Sequence, residues 1–218
     1  MAMNGVTFGT MHSLDDLNLI LSKIDIPPAK PKTSYIDIPG GNGSIDLTEA
    51  NGEIVYEDRT LSFTFTVHPD ESATFDEVRS DISNRLNGQN CKITLDKDDD
   101  YYFYGRVTVD DYRTNKKVNE ITVKARVQPY KYKQNPTMVK FALSAQAKTV
   151  NISNSRKSVS PTVTVSEGGS ATVLYGGNTF TFTAGTQRNA DLRFMSGNNP
   201  VQISGSGTIT FIYQEGSL

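Results

Sequence analysis

The chain has 218 residues and a mass of 24.0 kDa, a length that fits one or two domains. Its net charge of −2 and its pI of about 5.7 argue against a general nucleic-acid binder, because such proteins carry a basic surface. Cys91 is the single cysteine and excludes an internal disulfide, and no apolar run approaches the roughly 18 residues of a membrane helix.

Composition and charge predict a two-domain, mainly β protein. Val, Ile, Thr, Tyr and Phe outnumber Leu and Ala by 73 to 23, which favours strands over helices. Residues 1–134 carry 21 acids and 16 bases, whereas residues 135–218 carry 3 acids and 6 bases. A step of this size is typical of a domain boundary, and Pro129 and Pro136 mark a linker there. We therefore predict domains at 1–133 and 134–218.

Short strands and an extended arm are predicted for the first 60 residues. Residues 4–8 and 19–26 are strand-like, and Ser13 could cap a single helical turn between them. Residues 27–34 hold three prolines, so we expect an extended arm or linker there. Further strand-like runs, separated by glycine turns, follow at 35–38, 44–47 and 53–56.

The next segment has the clearest strand and the one convincing helix of the sequence. Residues 61–67 alternate between apolar and hydroxyl side chains, a pattern typical of a half-buried strand. Thr74 and Glu77 have the spacing of a capping box, and Gly88 suits the end of a helix. The expected core face of this helix repeats every three or four residues, at Phe75, Val78, Ile82 and Leu86.

Strands are predicted for most of the rest. In the first domain they fall at 92–95, 101–109 and 121–127. The second domain has no helical period, and its runs at 162–165, 171–175, 179–183 and 208–213 predict a small β-sandwich.

No residue pattern indicates a catalytic, cofactor or metal site. Asp96, Asp98 and Asp100 have the alternate spacing of a calcium loop, but Tyr101 stands where that loop needs glycine, so a solvated turn is expected. With His12 and His68 as its two histidines, the chain offers little acid–base chemistry, and no nucleophile elbow occurs. We expect no enzyme activity.

A sugar-binding function is the alternative from a different class. A small β-sandwich can bind a carbohydrate through flat aromatic faces, and the candidate contacts here are Tyr175 and Tyr213. The absence of tryptophan weakens this interpretation, and a role as core or interface aromatics suits both tyrosines better.

One motif consists of a tyrosine, an apolar residue, Asp, an apolar residue, Pro-Gly, a further Gly, and then Asp-Leu-Thr. Its residues in this chain are Tyr35, Asp37, Pro39, Gly40, Gly43, Asp46, Leu47 and Thr48. This motif resembles the central signature of the N-terminal domain of phage distal tail proteins. The strand 59–65, the helix that ends before Gly88 and the C-terminal run 205–218 extend the resemblance.

The resemblance implies a structural virion protein, made in the host cytoplasm and located at the phage tail tip. It implies a hexameric ring built by a tail-tube-like β-sandwich with one flanking helix, and a galectin-like β-sandwich outside the ring. The implied partners are other copies of the chain, the tail tube protein and a tail-associated fibre or lysin protein. Because the first half of the chain is acidic, we expect an acidic lumen through which DNA passes without being bound. The alternative is a carbohydrate-binding module of a host-recognition device.

Overall fold

A computed structural model describes residues 5–50, 52–67, 74–114 and 119–218, and for 111–114 it describes the backbone. Two compact units are present. One comprises Met1–Lys131 together with Leu218, and the other comprises Tyr132–Ser217. Within the described residues, no helix is long and apolar enough to cross a membrane. His68 lies outside the described residues.

The first unit is built on an antiparallel sheet. Its elements are β1 Val6–Phe8, β2 Met11–His12, β3 Leu19–Asp25, β4 Tyr35–Asp37, β5 Ser44–Asp46, β6 Arg59–Val67, α1 Phe75–Leu86, β7 Asn90–Leu95, β8 Tyr101–Thr114 and β9 Asn119–Val127. Seven strands follow one another across the sheet in the order β2-β1-β7-β8-β9-β6-β3. β4 and β5 pair with each other in a separate two-stranded sheet.

The alternation in β6 creates the core of this sheet. Leu61, Phe63 and Phe65 are fully buried, while the intervening hydroxyl side chains lie on the other face. Phe8 of β1 packs edge-on against Phe63, with ring centroids 5.6 Å apart. Such edge-to-face contacts stabilise a pair beyond its buried area. The strand prediction at 61–67 is confirmed.

The predicted helix is confirmed as α1. The Thr74 hydroxyl accepts a hydrogen bond from the Glu77 amide at 3.3 Å, and the Glu77 carboxylate accepts one from the Thr74 amide at 2.8 Å. This reciprocal capping box satisfies two amides that the first turn leaves without helical partners. Ile82 and Leu86 are buried against the sheet core, and Gly88, at a φ of +83°, follows the end of the helix.

Ser13 has a different role from the predicted cap. Its side chain is fully buried, and its hydroxyl accepts a hydrogen bond from the Val6 amide at 3.1 Å. The turn that follows is closed by the Asp16 amide, which donates to the carbonyl of His12. Ser13 therefore ties this turn back to β1, a long-range contact that local capping rules do not predict.

The second unit is a β-sandwich core with a short terminal ribbon. Its strands are β10 Lys131–Lys133 (of which Lys131 is assigned to the first unit), β11 Thr137–Ala142, β12 Lys148–Asn154, β13 Thr162–Tyr175, β14 Asn178–Arg188, β15 Gly197–Ser206, β16 Thr208–Tyr213 and β17 Gly216–Ser217. One sheet has the strand order β11-β16-β13-β15-β12, and β14 pairs with β13. β10 pairs with β17. The mainly β fold class is confirmed for the whole chain.

Five strands of this unit escaped the sequence prediction: β10, β11, β12, β15 and β17. β15 contains Pro200, which lies opposite Asn151 of β12, and prolines normally argue against a strand interior. β12 and β15 also bury Asn154 and Asn199 in place of apolar side chains. Asn199 donates a hydrogen bond to the carbonyl of Ile152 at 3.1 Å. This polar side chain can therefore occupy a buried position in the core.

Glu215 fixes the C-terminal segment of this unit. Its side chain is only 7% exposed and accepts hydrogen bonds from Lys133, Thr137 and Ser155. Burial raises the pKa of Glu215. Hydrogen bonds from Lys133, Ser155 and Thr137 together lower it by more than burial raises it, so the pKa lies below its usual value. The carboxylate is therefore charged and well satisfied at neutral pH.

Candidate interaction surface

Residues 27–58, here called the arm, leave the first unit after β3 and return at the start of β6. The Lys32 amide donates to the Val55 carbonyl at 2.8 Å, and the Glu57 amide donates to the Lys30 carbonyl at 2.9 Å. Because β3 and β6 are neighbours in the sheet, the arm departs and returns at one edge. The sequence predicted an extended arm at 27–34, and in the structure those residues form one side of a longer two-stranded excursion.

A tight turn closes the tip of the arm. The Gly41 amide donates to the Ile38 carbonyl at 3.0 Å, across Pro39 and Gly40. Gly40 has a φ of +73°. Proline followed by a residue with positive φ is the pattern of a type II turn, in which proline presets the first central residue and glycine tolerates the second. These two signature residues therefore fold the tip.

Polar contacts lock the base of the hairpin. The Asp46 carboxylate accepts a hydrogen bond from the Thr48 amide at 2.8 Å, and the Thr48 hydroxyl accepts one from the Ser34 amide at 3.2 Å. The Leu47 amide donates to the Ser34 carbonyl at 2.8 Å. The Thr48 hydroxyl and amide, with a further hydrogen bond from Tyr35, lower the pKa of Asp46. The lock is therefore held by a charged carboxylate at neutral pH.

All eight signature residues lie in this hairpin or at its base. Tyr35 and Asp37 are in β4, Asp46 is in β5, and Gly43 precedes β5 with a φ of +80°. The structure thus brings together residues that the sequence could only list in order. Their role as the family's structural signature remains a proposal.

One face of the arm is apolar and exposed. Ile36 and Ile45 are direct partners across β4 and β5 and are 55% and 52% exposed. Ile38 and Leu47 follow the ends of β4 and β5 at the same two-residue spacing from Ile36 and Ile45. Both are also exposed. Sequence analysis missed this exposure because the same alternation predicts a half-buried strand. The sequence did hold one signal for this exposure: prolines and glycines flank the two short strand-like runs and separate them from the other strands.

The remainder of the arm is acidic. Residues 27–58 contain six acids and two lysines, which gives a net charge of −4. Asp37 and Asp46 project from the side of the hairpin opposite to Ile36 and Ile45, because they are one residue away in the strand period. The arm is therefore an amphipathic ribbon with one apolar side and acidic surroundings.

Residues 9–144 match the family model of the phage tail protein RIFT-related domain, a match that spans more than half of the chain. The chain belongs to this family of phage tail proteins. It is a structural component of the virion tail, as the sequence resemblance implied. The prediction of a phage tail protein family is confirmed, and the distal tail type stays a prediction.

The fold of this tail protein is similar to solved phage structures. The crystal structure of SPP1 Dit (gp 19.1), described as a paradigm of the hub adsorption apparatus in phages infecting Gram-positive bacteria, aligns with a TM-score of 0.69. The identity is 14%, and 99% of each chain is covered. A chain from the activated phage p2 baseplate with Sr aligns at a TM-score of 0.40 and 10% identity, over 96% of this chain and 97% of that one. No curated protein sequence matches.

The acidic turn of this tail protein is engaged by protein groups. Asp96 accepts a hydrogen bond from the Gly5 amide at 2.6 Å and lies 3.2 Å from Nε2 of His12. Asp98 forms an ion pair with Lys131 at 2.7 Å. Within the described part of the chain, no group of three or more His, Cys, Asp or Glu residues could hold a metal ion. These contacts make Asp96 and Asp98 structural partners of neighbouring residues.

The two candidate sugar-contact tyrosines surround Phe194 in the second core. Tyr213 is only 3% exposed, and its hydroxyl donates to the carbonyl of Ser153. Burial and the nearby charge of Glu215 raise the pKa of Tyr213 to about 12. The Tyr175 hydroxyl donates to Asn199 at 2.5 Å, and its ring meets Phe194 edge-on at 5.9 Å. Tyr213 therefore has no free ring face to offer a sugar, whereas Tyr175 is partly exposed and stays a prediction as a sugar contact.

Proposed function

We propose that this tail protein forms a ring of six copies at the distal end of a phage tail and joins the tail tube to the host-adsorption apparatus. Residues 1–133 build the ring, and residues 134–218 form its peripheral domain. The family membership supports a structural role, and the fold likeness to SPP1 Dit supports a hub protein. The observation that carries the proposal is the exposed apolar face of the arm.

The arm has the properties of a contact between subunits. An isolated two-stranded hairpin is at best marginally stable in water, so a ribbon of this kind needs a surface to cover its apolar side. Fully burying an isoleucine or leucine side chain contributes about 1.5–3 kcal/mol, so covering the half-exposed Ile36, Ile45 and their two neighbours contributes roughly 3–6 kcal/mol. That is enough to drive assembly when each copy engages the next.

A closed ring requires an asymmetric contact between its subunits. In a cyclic assembly, one surface of each subunit meets a different surface of its neighbour, and the rotation closes after a fixed number of copies. The arm is one such surface. The proposed partners are thus further copies of this chain, the tail tube protein and a tail-associated fibre or lysin protein.

DNA passes through the proposed ring without being bound, and the protein has no catalytic role. The excess of acids in residues 1–134, 21 against 16 bases, favours repulsion of phosphates from the lumen. The family is one of structural tail proteins, and assembly geometry accounts for its function without a reactive group.

Light scattering coupled to size exclusion, followed by negative-stain electron microscopy of the full chain, tests the proposal. The expected result is a ring with a mass near six times 24.0 kDa, formed alone at high protein concentration or in the presence of the tail tube protein. A monomer under every one of these conditions would contradict the proposal.

A further inference from the structure

Four asparagines of the chain are followed directly by glycine: Asn4, Asn42, Asn51 and Asn87. Such a pair can modify itself without an enzyme, because the backbone nitrogen of the glycine can attack the side-chain carbonyl carbon of the asparagine. Glycine favours the attack, since it has no Cβ to shield that nitrogen and its backbone is unusually free. The reaction needs a glycine amide and an asparagine side chain that are both free to move. The structure therefore determines which of the four pairs can react.

Two of the pairs hold their glycine amide in a hydrogen bond. The Gly5 amide donates to the Asp96 carboxylate at 2.6 Å. The Gly52 amide donates to the Glu49 carbonyl at 2.8 Å. Each of these bonds must open before the nitrogen can attack, which lowers the population of reactive conformations.

The pair at the end of α1 is held at both of its reacting groups. The Gly88 amide donates to the Val107 carbonyl at 2.8 Å. The side-chain oxygen of Asn87 accepts a hydrogen bond from the Val109 amide at 3.1 Å. Both groups that would have to meet are therefore fixed to β8.

The pair at the tip of the arm lacks these restraints. Asn42 and Gly43 are both exposed, and among the described residues neither the Asn42 side chain nor the Gly43 amide has a hydrogen bond. The Ile38 carbonyl at this turn accepts from the Gly41 amide at 3.0 Å. Nothing lies within 4 Å of the position that a Cβ of Gly43 would take. The reacting groups of this pair are therefore free to approach each other.

We propose that Asn42 is a self-modification site, at which the chain deamidates and thereby limits the time for which an unassembled copy keeps a functional arm. The Gly43 nitrogen forms a bond to the side-chain carbonyl carbon of Asn42. The side-chain nitrogen leaves as ammonia, taking up the proton that the Gly43 nitrogen gives up, and a five-membered succinimide ring remains. Water then opens the ring at either of its carbonyl groups, which leaves aspartate or isoaspartate at this position.

The isoaspartate product changes the geometry of the hairpin. It routes the backbone through the side chain and so adds one carbon atom to the connection that leads into β5. Asp37 and Ser44 pair at the tip end of the hairpin, next to the pair of Ile36 and Ile45. Because loop length fixes the register of a hairpin, the longer connection weakens both pairings. The resulting loss of assembly rests on the proposed ring, in which the isoleucine pair joins one copy to the next.

Peptide mass spectrometry of the full chain tests the site. The protein is aged at mildly alkaline pH, which favours the attacking nitrogen, and is digested at mildly acidic pH, where the reaction is slow. We expect a gain of about 1 Da at Asn42 well before any gain at Asn87, with isoaspartate in the product. In urea the two sites should react at similar rates, because the bonds that hold Asn87 are lost.

Two results of this measurement would overturn the inference. One is a reaction at Asn87 of the folded chain that is as fast as the reaction at Asn42. The other is a lead of Asn42 over Asn87 that is the same in urea as in the folded chain, because the local sequence alone would then set the preference.

Assembly of the aged protein tests the consequence. Ageing should raise the concentration of the parent chain needed for half-assembly several-fold. Asn42→Gln is the matched control, since its longer side chain cyclises far more slowly, and the same ageing should leave its assembly unchanged. Fresh Asn42→Asp carries the new charge without the added backbone atom and should assemble like the fresh parent chain. Its failure to assemble would contradict the backbone explanation.

The failure of this inference can be distinguished from the failure of the ring. An aged parent chain that contains isoaspartate at this position and assembles like the fresh chain would overturn the inference and leave the ring intact. If the fresh parent chain does not assemble, even beside the tail tube protein, the ring and the consequence for assembly both fail. The peptide masses still show in that case whether Asn42 is the site of modification.

Discussion

Ile36 and Ile45 face each other across the two strands of the arm, and more than half of each side chain remains exposed. A directly opposed isoleucine pair on a three-residue ribbon is a strong β-pairing element that nothing in the described chain covers. Assembly of copies supplies the missing contact in our account.

Replacing one member of this pair by a charged residue should block assembly without unfolding the chain. Ile36→Asp places a carboxylate where the account expects a desolvated contact, which costs several kcal/mol in the assembled state. The isolated chain should lose little stability because the site is exposed. Leu174→Asp is the matched control, since Leu174 is exposed to a similar degree outside the arm. Sedimentation velocity should show monomers for Ile36→Asp and normal assembly for Leu174→Asp.

Thr48→Val should loosen the arm while leaving the main sheet unchanged. The substitution keeps the shape of Thr48 but removes its hydroxyl. That hydroxyl accepts a hydrogen bond from the Ser34 amide and forms another with the Asp46 carboxylate. Amide exchange in β4 and β5 should become several-fold faster, with no change in β6. Thr66→Val, on the outer face of β6, serves as the control. Equal exchange rates in the arm of both variants would count against the lock.

The arm lock should also depend on pH. The pKa of Asp46 is lowered in the folded chain, chiefly by the Thr48 hydroxyl. Its contribution is therefore fully present above the carboxyl's unfolded pKa and is lost as the pH falls through the lower folded pKa. Protection of the β4 and β5 amides, corrected for intrinsic exchange, should decline in that acidic window. Retained protection below it would show that Asp46 is not part of the lock.

Glu215→Gln should destabilise the second unit by about 2–4 kcal/mol, because a buried charge-assisted network loses its acceptor charge. The pKa of Glu215 is lowered in the folded state, so its contribution is present at neutral pH and disappears as the pH falls through that value. Urea unfolding at neutral and acidic pH should show a difference between the two proteins that shrinks in acid. Glu167→Gln, at an exposed position, should show no difference at either pH.

Phe63→Ala should cost the first unit about 3–5 kcal/mol, since the ring is fully buried and contacts Phe8. Ser62→Ala, one residue away on the opposite face of β6, should change stability by less than about 0.5 kcal/mol. Thermal unfolding of the two variants measures the difference. Similar unfolding temperatures for both would contradict the assigned facing of β6.

Local patterns predicted the elements that are determined by residues close to one another in the sequence. The alternation at 61–67 was sufficient to predict β6, and the capping box at Thr74 was sufficient to predict the start of α1. Both the alternation of buried residues and the capping of a helix depend on only a few neighbouring residues. β15 escaped because Pro200 and the buried Asn199 oppose the usual signals. Pro200 pairs with Asn151, and Asn199 donates a hydrogen bond to the carbonyl of Ile152. Both partners lie almost fifty residues earlier in the chain.

The arm shows the same division between local and global information. The Pro39-Gly40 turn and the Asp46–Thr48 contact are local, and the signature motif contained them in order. Ile36 and Ile45 remain exposed because no described residue of the chain packs over them. Exposure depends on the positions of residues that are distant in the sequence, so only the tertiary structure shows it.

Native mass spectrometry of the full chain and of Ile36→Asp tests whether the arm joins the subunits of the ring. We expect a hexamer for the parent chain, at a concentration where circular dichroism shows both proteins folded, and a monomer for the variant. A hexamer of unchanged abundance from Ile36→Asp would contradict the claim that the exposed isoleucine pair of the arm joins one copy to the next.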